Sequence, residues 1–470
     1  EVDVSLQSMI LIALTLNLAG VSLGLRAASA DTLDWALAQA YQNNPTLNAQ
    51  RAATRAQDEG VPQALSGYRP RASLTASVAT QNQKILARTA AGYETSHAQF
   101  TPHSVGVTVT QTLFNGYQTA NRTRQAEAQV SAGRATLAVA EQTILLNAAT
   151  AYMNLLRDGA ILDLQRRNVE VLQEQLRQTR DRFNVGEVTR TDVAQAESRL
   201  AAGRSQVLTA ESNYVSSKAI YRQTIGVEPG KLSAATPVDR LSPRTLKDAI
   251  ATGREFNPNV AAAMFGIDTA LLQVKINEGA LLPTVTATAN VQQAWEPSIS
   301  SNVAVLQQFS ASLLAQVTVP IYQGGGEYSL IRQAKETLGQ QRITLDTQRD
   351  QVQSTVVQSW GQLEAAKAQI QATQAQVNAA EIALNGVREE ARVGQRTTLD
   401  VLNAQQELVN ARVALVTAQR DRVVASYALL SAVGGLYAVG LGLKVPVYDP
   451  MTHYQQVRDA WAGTRNPDGR

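Results

Sequence analysis

Two aspartates, three histidines and a run of glycines are the residues whose types and spacing invite a chemical reading. Asp192 and Asp400 stand in near-copies of one stretch, "NVGEVTRTDVAQAESR" (184–199) and "RVGQRTTLDVLNAQQE" (392–407). A repeated acid suggests a catalytic carboxylate. Each, however, lies three residues after a threonine, Thr189 or Thr397, and follows a glycine, Gly186 or Gly394. That spacing ends one helix and caps the next: glycine for the left-handed stop, threonine as N-cap, an acid facing the positive helix end. His97, His103 and His453 lack metal-ligand spacing, and the first two are expected in an exposed loop. Gly324, Gly325 and Gly326 precede no Lys-Ser/Thr, so they read as a tight strand-to-helix joint rather than a phosphate loop. The absence of cysteine removes disulfides, thiolate metal sites, a Cys nucleophile and an N-terminal lipid anchor. No catalytic residue, metal site or cofactor is expected. Energy for any transport must come from a partner.

The elements that position these residues are long. Aromatics are 5% of 470 residues, and Ala, Gln, Leu, Val, Thr and Arg fill extended runs, as in helices with small-residue seams. The net charge of +3 is not gathered into Lys/Arg clusters, which argues against nucleic acid. "MILIALTLNLAGVSLGLRAASA" (9–30) reads as a secretory signal ending in Ala28-Ser29-Ala30, with residues 1–30 removed. Glu1 and Asp3 spoil its n-region and point to translation starting at Met9. Beyond it no apolar run reaches the roughly 20 residues of a spanning helix. The protein is expected to be exported and to enter a membrane only through strands.

The whole chain repeats, not only its turns. "TLDWALAQAYQNNP" (32–45) matches "TLKDAIATGREFNP" (245–258) at an offset of 213, and "LFNGYQTANRTRQAEA" matches "IYQGGGEYSLIRQAKE" at 208. Gly226 and Gly434 keep 208, so the first copy holds a five-residue insertion between Pro70 and Leu113. The expected organisation is a first repeat at 31–226, a linker at 227–244, a second repeat at 245–434 and an extension at 435–470. Each repeat opens with a helix, 31–66 or 245–279. Two alternating strands follow, "RASLTASVAT" and "SVGVTVTQTLF", then "TVTATANV" and "FSASLLAQVTV", apolar on one face and small and polar on the other. That is the pattern of a transmembrane barrel, with a soluble antiparallel sheet as the alternative.

A long helix comes next, 118–183, in which Leu155, Leu162, Val169, Leu176 and Phe183 recur every seven residues. Leu363, Ile370, Val377, Leu384 and Ala391 repeat that ladder. At roughly 1.5 Å per residue each rod is on the order of 100 Å. Return helices begin at Thr189 and Thr397. Four strands cannot close a barrel, and lipid does not tolerate an open edge. Three chains would supply twelve, wide enough for a bore. The fold class expected is therefore mainly α with β: a trimeric twelve-stranded barrel continued by a helical coiled-coil tunnel. Stretches 81–101 and 295–306 are expected as its loops.

The opening "ALAQAYQNNPTLNAQRAA", the joints "LFNGYQ" and "IYQGGG", the two turns and the duplication carry a resemblance across nearly the whole mature chain. The sequence resembles the TolC-like outer-membrane factors of Gram-negative bacteria, and its tail (441–461) is similar to that of alphaproteobacterial members, placed around the tunnel's middle. The resemblance implies a homotrimer in outer-membrane lipid. It implies a periplasmic adaptor protein docking at the tip turns, Val185-Gly186 and Val393-Gly394, and an inner-membrane ABC or RND transporter. It also implies a periplasmic gate: Asp400 in a pore ring, Asn403 at a second ring position, and Thr191, Asp192 and Arg396 as links between helices. Asn403 stands where an aspartate can occur and Ala391 replaces a latch tyrosine, so a less anionic entrance with one link fewer is expected. The function implied is an exit duct for efflux or type I secretion. The alternative is a non-transporting coiled-coil protein of the envelope.

Overall fold

The computed structural model describes residues 31–300 and 303–467; the expected signal segment lies outside the described residues. In chain order the elements are α1 (Leu33–Asn43), α2 (Pro45–Asp58), α3 (Gly60–Leu65), β1 (Arg71–Val78), β2 (Gln81–Thr89), β3 (Gly92–Phe100), β4 (His103–Asn115), α4 (Gln118–Asn184) and α5 (Arg190–Ile225). There follow α6 (Leu246–Phe256), α7 (Pro258–Gly279), β5 (Thr284–Ser300), β6 (Val303–Thr318), α8 (Gly326–Arg392), α9 (Thr398–Ala432) and α10 (Pro450–Val457). Among the described residues no helix is long and apolar enough to cross a membrane.

The chain forms two compact units. One contains the chain up to Asn44, Asn147–Pro237 and Ala366–Val424, and therefore both turns. Its core includes two clusters of matching construction. Leu172, Leu176, Ala196 and Leu200 pack with Val169; Val377, Ala380, Leu384, Leu408 and Ala411 pack with Ala404. Most of these residues have a counterpart 208 positions on, and the ladder positions Leu155, Leu162, Leu176, Leu363, Val377 and Leu384 are buried. Phe183, the last rung of the first ladder, is 42% exposed. In the same unit Tyr152 Oη lies 2.7 Å from the carbonyls of Asp31 and Ser233, tying the start of the described chain to the segment after α5.

The other unit holds the strands, α2, α3, α6, α7 and the tail. Its sheet has the order β1-β4-β5-β6, antiparallel throughout, with β1 and β6 as edges. The small polar face is laced by hydrogen bonds: Thr75 Oγ1 donates to Gly106 O, Ser77 and Ser104 hydroxyls meet at 2.9 Å, and Thr108 Oγ1 donates to Asn290 Oδ1. The apolar residues, among them Leu74, Val78, Leu313 and Val317, are exposed. Under the strands, Val61 packs with Ala126 and Val130, and Val274 with Ala334 and Leu338, again one arrangement at two places.

Three expectations need correction. Residues 81–101 are not a loop: β2 and β3 pair with each other as a hairpin and not with the sheet. His97 therefore sits in a strand, and His103 opens β4, stacked on Trp295 at 5.2 Å. Residues 295–306 are mostly strand, because β5 and β6 continue past a register shift between Trp295 and Ser298. The opening helices are broken. Asn44 and Asn257 precede prolines, whose rings push the preceding residue out of the helical region, to φ −64°, ψ 121° and φ −67°, ψ 127°. Both asparagines are buried, and each Nδ2 donates to a carbonyl near the end of a return helix: Asn44 to Thr224 O at 2.8 Å, Asn257 to Ala432 O at 2.9 Å.

Candidate functional site

The two turns that join α4 to α5 and α8 to α9 share the same backbone and capping bonds. Gly186 and Gly394 adopt φ +83° and +81°, where a side chain would be strained. The N–H of Glu187 donates to Arg182 O, and that of Gln395 to Glu390 O, both at 2.9 Å. With the Gly186-to-Phe183 and Gly394-to-Ala391 bonds these close Schellman stops on the long helices. The return helices then open on full capping boxes. Asp192 Oδ2 accepts from Thr189 N–H at 2.9 Å and from Thr189 Oγ1 at 2.7 Å, while Thr189 Oγ1 accepts from Asp192 N–H. Asp400 and Thr397 repeat this at 3.0, 2.9 and 3.3 Å.

These bonds favour the charged acids. The Thr189 hydroxyl and N–H hold Asp192 below the ordinary aspartate value of 3.8, and the Thr397 N–H and hydroxyl do the same for Asp400. Asp400 is therefore a carboxylate at neutral pH. Arg396 Nε donates to Glu390 Oε2 at 2.9 Å, a bond that raises the guanidinium's pKa further, helped by the nearby Asp400. Within the chain Arg396 thus closes its own turn. Thr191 is exposed. Val185 and Val393, the residues before the turn glycines, are each 72% exposed.

Asn403 is the one expected site residue with a long-range partner. Arg199 of α5 donates from Nη2 to Asn403 Oδ1 at 2.7 Å, and Leu402 beside it buries itself in the cluster of Leu172, Leu176 and Leu200. The two return helices are therefore clamped side by side, six residues beyond the capping Thr397 on α9 and ten beyond Thr189 on α5. Arg199 escaped sequence reasoning because its partner is 204 residues away; its place in "AESR", within the repeated turn stretch, was the available signal. Further along, Gln405 Nε2 donates to Asn168 Oδ1, and Arg388 Nη2 to Gln405 Oε1. A cleft of about 530 Å³ opens between the ends of α4 and α8, lined by Glu170, Glu174, Arg182, Arg388, Arg392 and Ala391. Ala391 leaves room there for a larger side chain. Among the described residues no group of three or more His, Asp or Glu side chains could hold a metal ion.

The matched turns, the paired caps and the four-stranded sheet can be set beside known proteins. The family described as "Outer membrane efflux protein" matches residues 36–227 and again 250–435. The chain belongs to the outer membrane efflux protein family. It is 42% identical over 460 residues to the outer membrane efflux protein BepC of Brucella suis biovar 1 (strain 1330), covering 98% of both chains. It is 27% identical over 450 residues to the outer membrane protein TolC of Escherichia coli K12, covering 92% of this chain and 87% of that one. The fold is also that of the Campylobacter jejuni CmeC outer membrane channel, with a TM-score of 0.75 at 15% identity over 91% of this chain and 89% of that one. Membership places the chain in the outer membrane, in a family of channels rather than enzymes.

Proposed function

We propose that this chain is the outer-membrane exit duct of an efflux pump or type I secretion system. Three copies pool their strands into a twelve-stranded barrel, and their long helices form a tunnel extending into the periplasm. The observation that carries this reading is the sheet. It has two edges, β1 and β6, and exposes Leu74, Leu313 and Val317 on its apolar face. Unpaired backbone is not tolerated in lipid, so the edges need partners, and copies of the same chain supply them with closed symmetry. Two repeats, 31–226 and 245–434, joined by 227–244 and followed by the 435–470 extension, organise the chain.

The turns form the periplasmic end of the duct. In a threefold assembly Asp400 becomes a ring of three carboxylates, selective for cations. Asn403 takes a second ring position that carries no carboxylate, its amide oxygen held by Arg199. Thr191, Asp192 and Arg396 bridge adjacent helices in the closed state. The exposed Val185 and Val393, each next to a rigid glycine stop, offer an apolar tip to a periplasmic adaptor protein, and an inner-membrane ABC or RND transporter supplies the energy. The name of the Brucella relative, an efflux protein, favours efflux.

The test is the mass of the detergent-extracted protein together with its conductance in a planar bilayer. Three chains per particle and discrete channel openings are expected. A monomer without conductance would leave only a structural coiled-coil role.

A further inference from the structure

In the unit that holds the strands, the 435–470 extension climbs toward the sheet through contacts that come in order. Ala438 N–H donates to Glu141 at 2.8 Å, the Arg51 guanidinium lies over the Tyr448 ring, and His453 Nδ1 lies 3.0 Å from Asp58 Oδ2. Tyr454 packs on the cluster of Val61, Ala126 and Val130, with the Arg134 guanidinium over its ring. Last, Arg69 Nη1 donates to Ala460 O at 2.5 Å, and its guanidinium lies over the Trp461 ring, 4.6 Å from the centroid. The partners rise from Arg51 to Arg69 through α2 and α3, and they fall from Glu141 to Ala126 along α4. Both series lead to the place where α3 gives way to β1.

On the reading that the sheet crosses the membrane, that place is a membrane boundary. A strand needs about 9–11 residues to cross the hydrocarbon. Counted along β4 from His103, whose ring stacks on Trp295, the crossing ends between Gln111 and Leu113. Gln111 Nε2 donates to Tyr68 O at 2.7 Å, so Tyr68 and Arg69 stand at that level. Apolar surface is uncovered there: Tyr68 is 51% exposed and Leu113 61%. Trp461 is 72% exposed although a cation holds its ring, and its indole N–H has no hydrogen-bond partner among the described residues. An exposed indole with a free N–H beside an arginine suits the lipid–water interface, where the ring meets acyl chains and the N–H meets headgroups.

We propose that the extension is a membrane anchor: Trp461, held by Arg69, lies among the phospholipid headgroups on the periplasmic side and pins the end of the extension to the bilayer. This rests on the barrel reading, and the experiment separates the two.

Trp35→Phe, Trp295→Phe and Trp360→Phe, all at partly buried positions, leave Trp461 as the single indole. The full chain is reconstituted into phosphatidylcholine vesicles whose acyl chains carry bromine either near the headgroups or at the bilayer centre. Bromine near the headgroups should cause the larger loss of Trp461 emission, and Arg69→Ala should reduce that loss. Leu74→Trp, in a chain whose four natural tryptophans are changed to phenylalanine, reports on the barrel. Leu74 pairs with Val107 about midway along the crossing, so central bromine should quench it most. If Leu74→Trp is quenched from the centre and Trp461 by neither lipid, the anchor is overturned and the barrel stands. If neither indole is quenched, both readings fall. Trp461 quenching that Arg69→Ala leaves unchanged also overturns the anchor as proposed.

Discussion

At Gly203 in α5 an added methyl group would lie 2.9 Å from Leu172 Cδ1; 208 positions on, Ala411 carries that methyl and shares its cluster with Ala380. The two helical hairpins fill one seam differently, large-and-none in the first and small-and-small in the second. Similar divergence occurs at the strand-to-helix joints. Gly324 and Gly325 both adopt positive φ, whereas the first joint has Gly116 followed by Tyr117 at φ +62°. The tyrosine is tolerated there with its ring edge-on to Phe114 at 5.3 Å. What has not diverged is the backbone hardware: the turn glycines, the Thr-Asp caps, and the asparagine that ties each opening helix to a return helix. The comparison separates the part that sets the path of the chain from the part that merely fills space.

The asparagine ties should give the largest effect. Asn257→Ala removes the donor to the buried Ala432 carbonyl and the cap on Asn259 N–H, and should cost about 3 kcal/mol. Asn44→Ala, which loses the bond to Thr224 O, should cost about 2 kcal/mol. Thermal unfolding in detergent followed by circular dichroism measures both, and equal, negligible losses would mean that the ties carry nothing. Next comes the seam. Gly203→Ala should cost about 1–2 kcal/mol through overpacking against Leu172. Combining it with Leu172→Ala, which recreates the Ala380–Ala411 arrangement, should be milder than the sum of the single changes by about 1 kcal/mol. Strict additivity would show that the two seams are not equivalent.

The caps should give the smallest effect, visible as pH dependence. Asp192 and Asp400 are held below the ordinary value of 3.8, so their contribution is complete above that value. It is lost as pH falls through their lowered native values, which confines the loss to acid below about pH 4. Asp192→Asn and Asp400→Asn should each flatten the acid limb of the stability profile slightly and equally. An unchanged limb in either variant would mean that its turn is not held by the charged acid.

The turns were legible in the sequence because their chemistry is local: Gly186, Thr189 and Asp192 need only each other. The seven-residue ladder was legible for the same reason, apart from Phe183, whose exposure marks where packing stops. The 81–101 hairpin was not legible. "QNQKILART" is too polar for alternation to show, and its strands pair with each other rather than under a buried face. The breaks at Asn44 and Asn257 were written in the Asn-Pro pairs but hidden by helical patterns on both sides. The Arg199–Asn403 clamp and the Asp58–His453 pair join residues 204 and 395 apart, and no spacing rule reaches that far.

We propose that the end of the molecule carrying these turns is the mouth of a pore in which the second turn's acid, not the first's, faces the lumen. Block of single-channel conductance by a trivalent cation added from the turn side tests it most directly. Strong block of the natural protein, loss of that block in Asp400→Ala, and its retention in Asp192→Ala are expected. Block that persists in Asp400→Ala would contradict it.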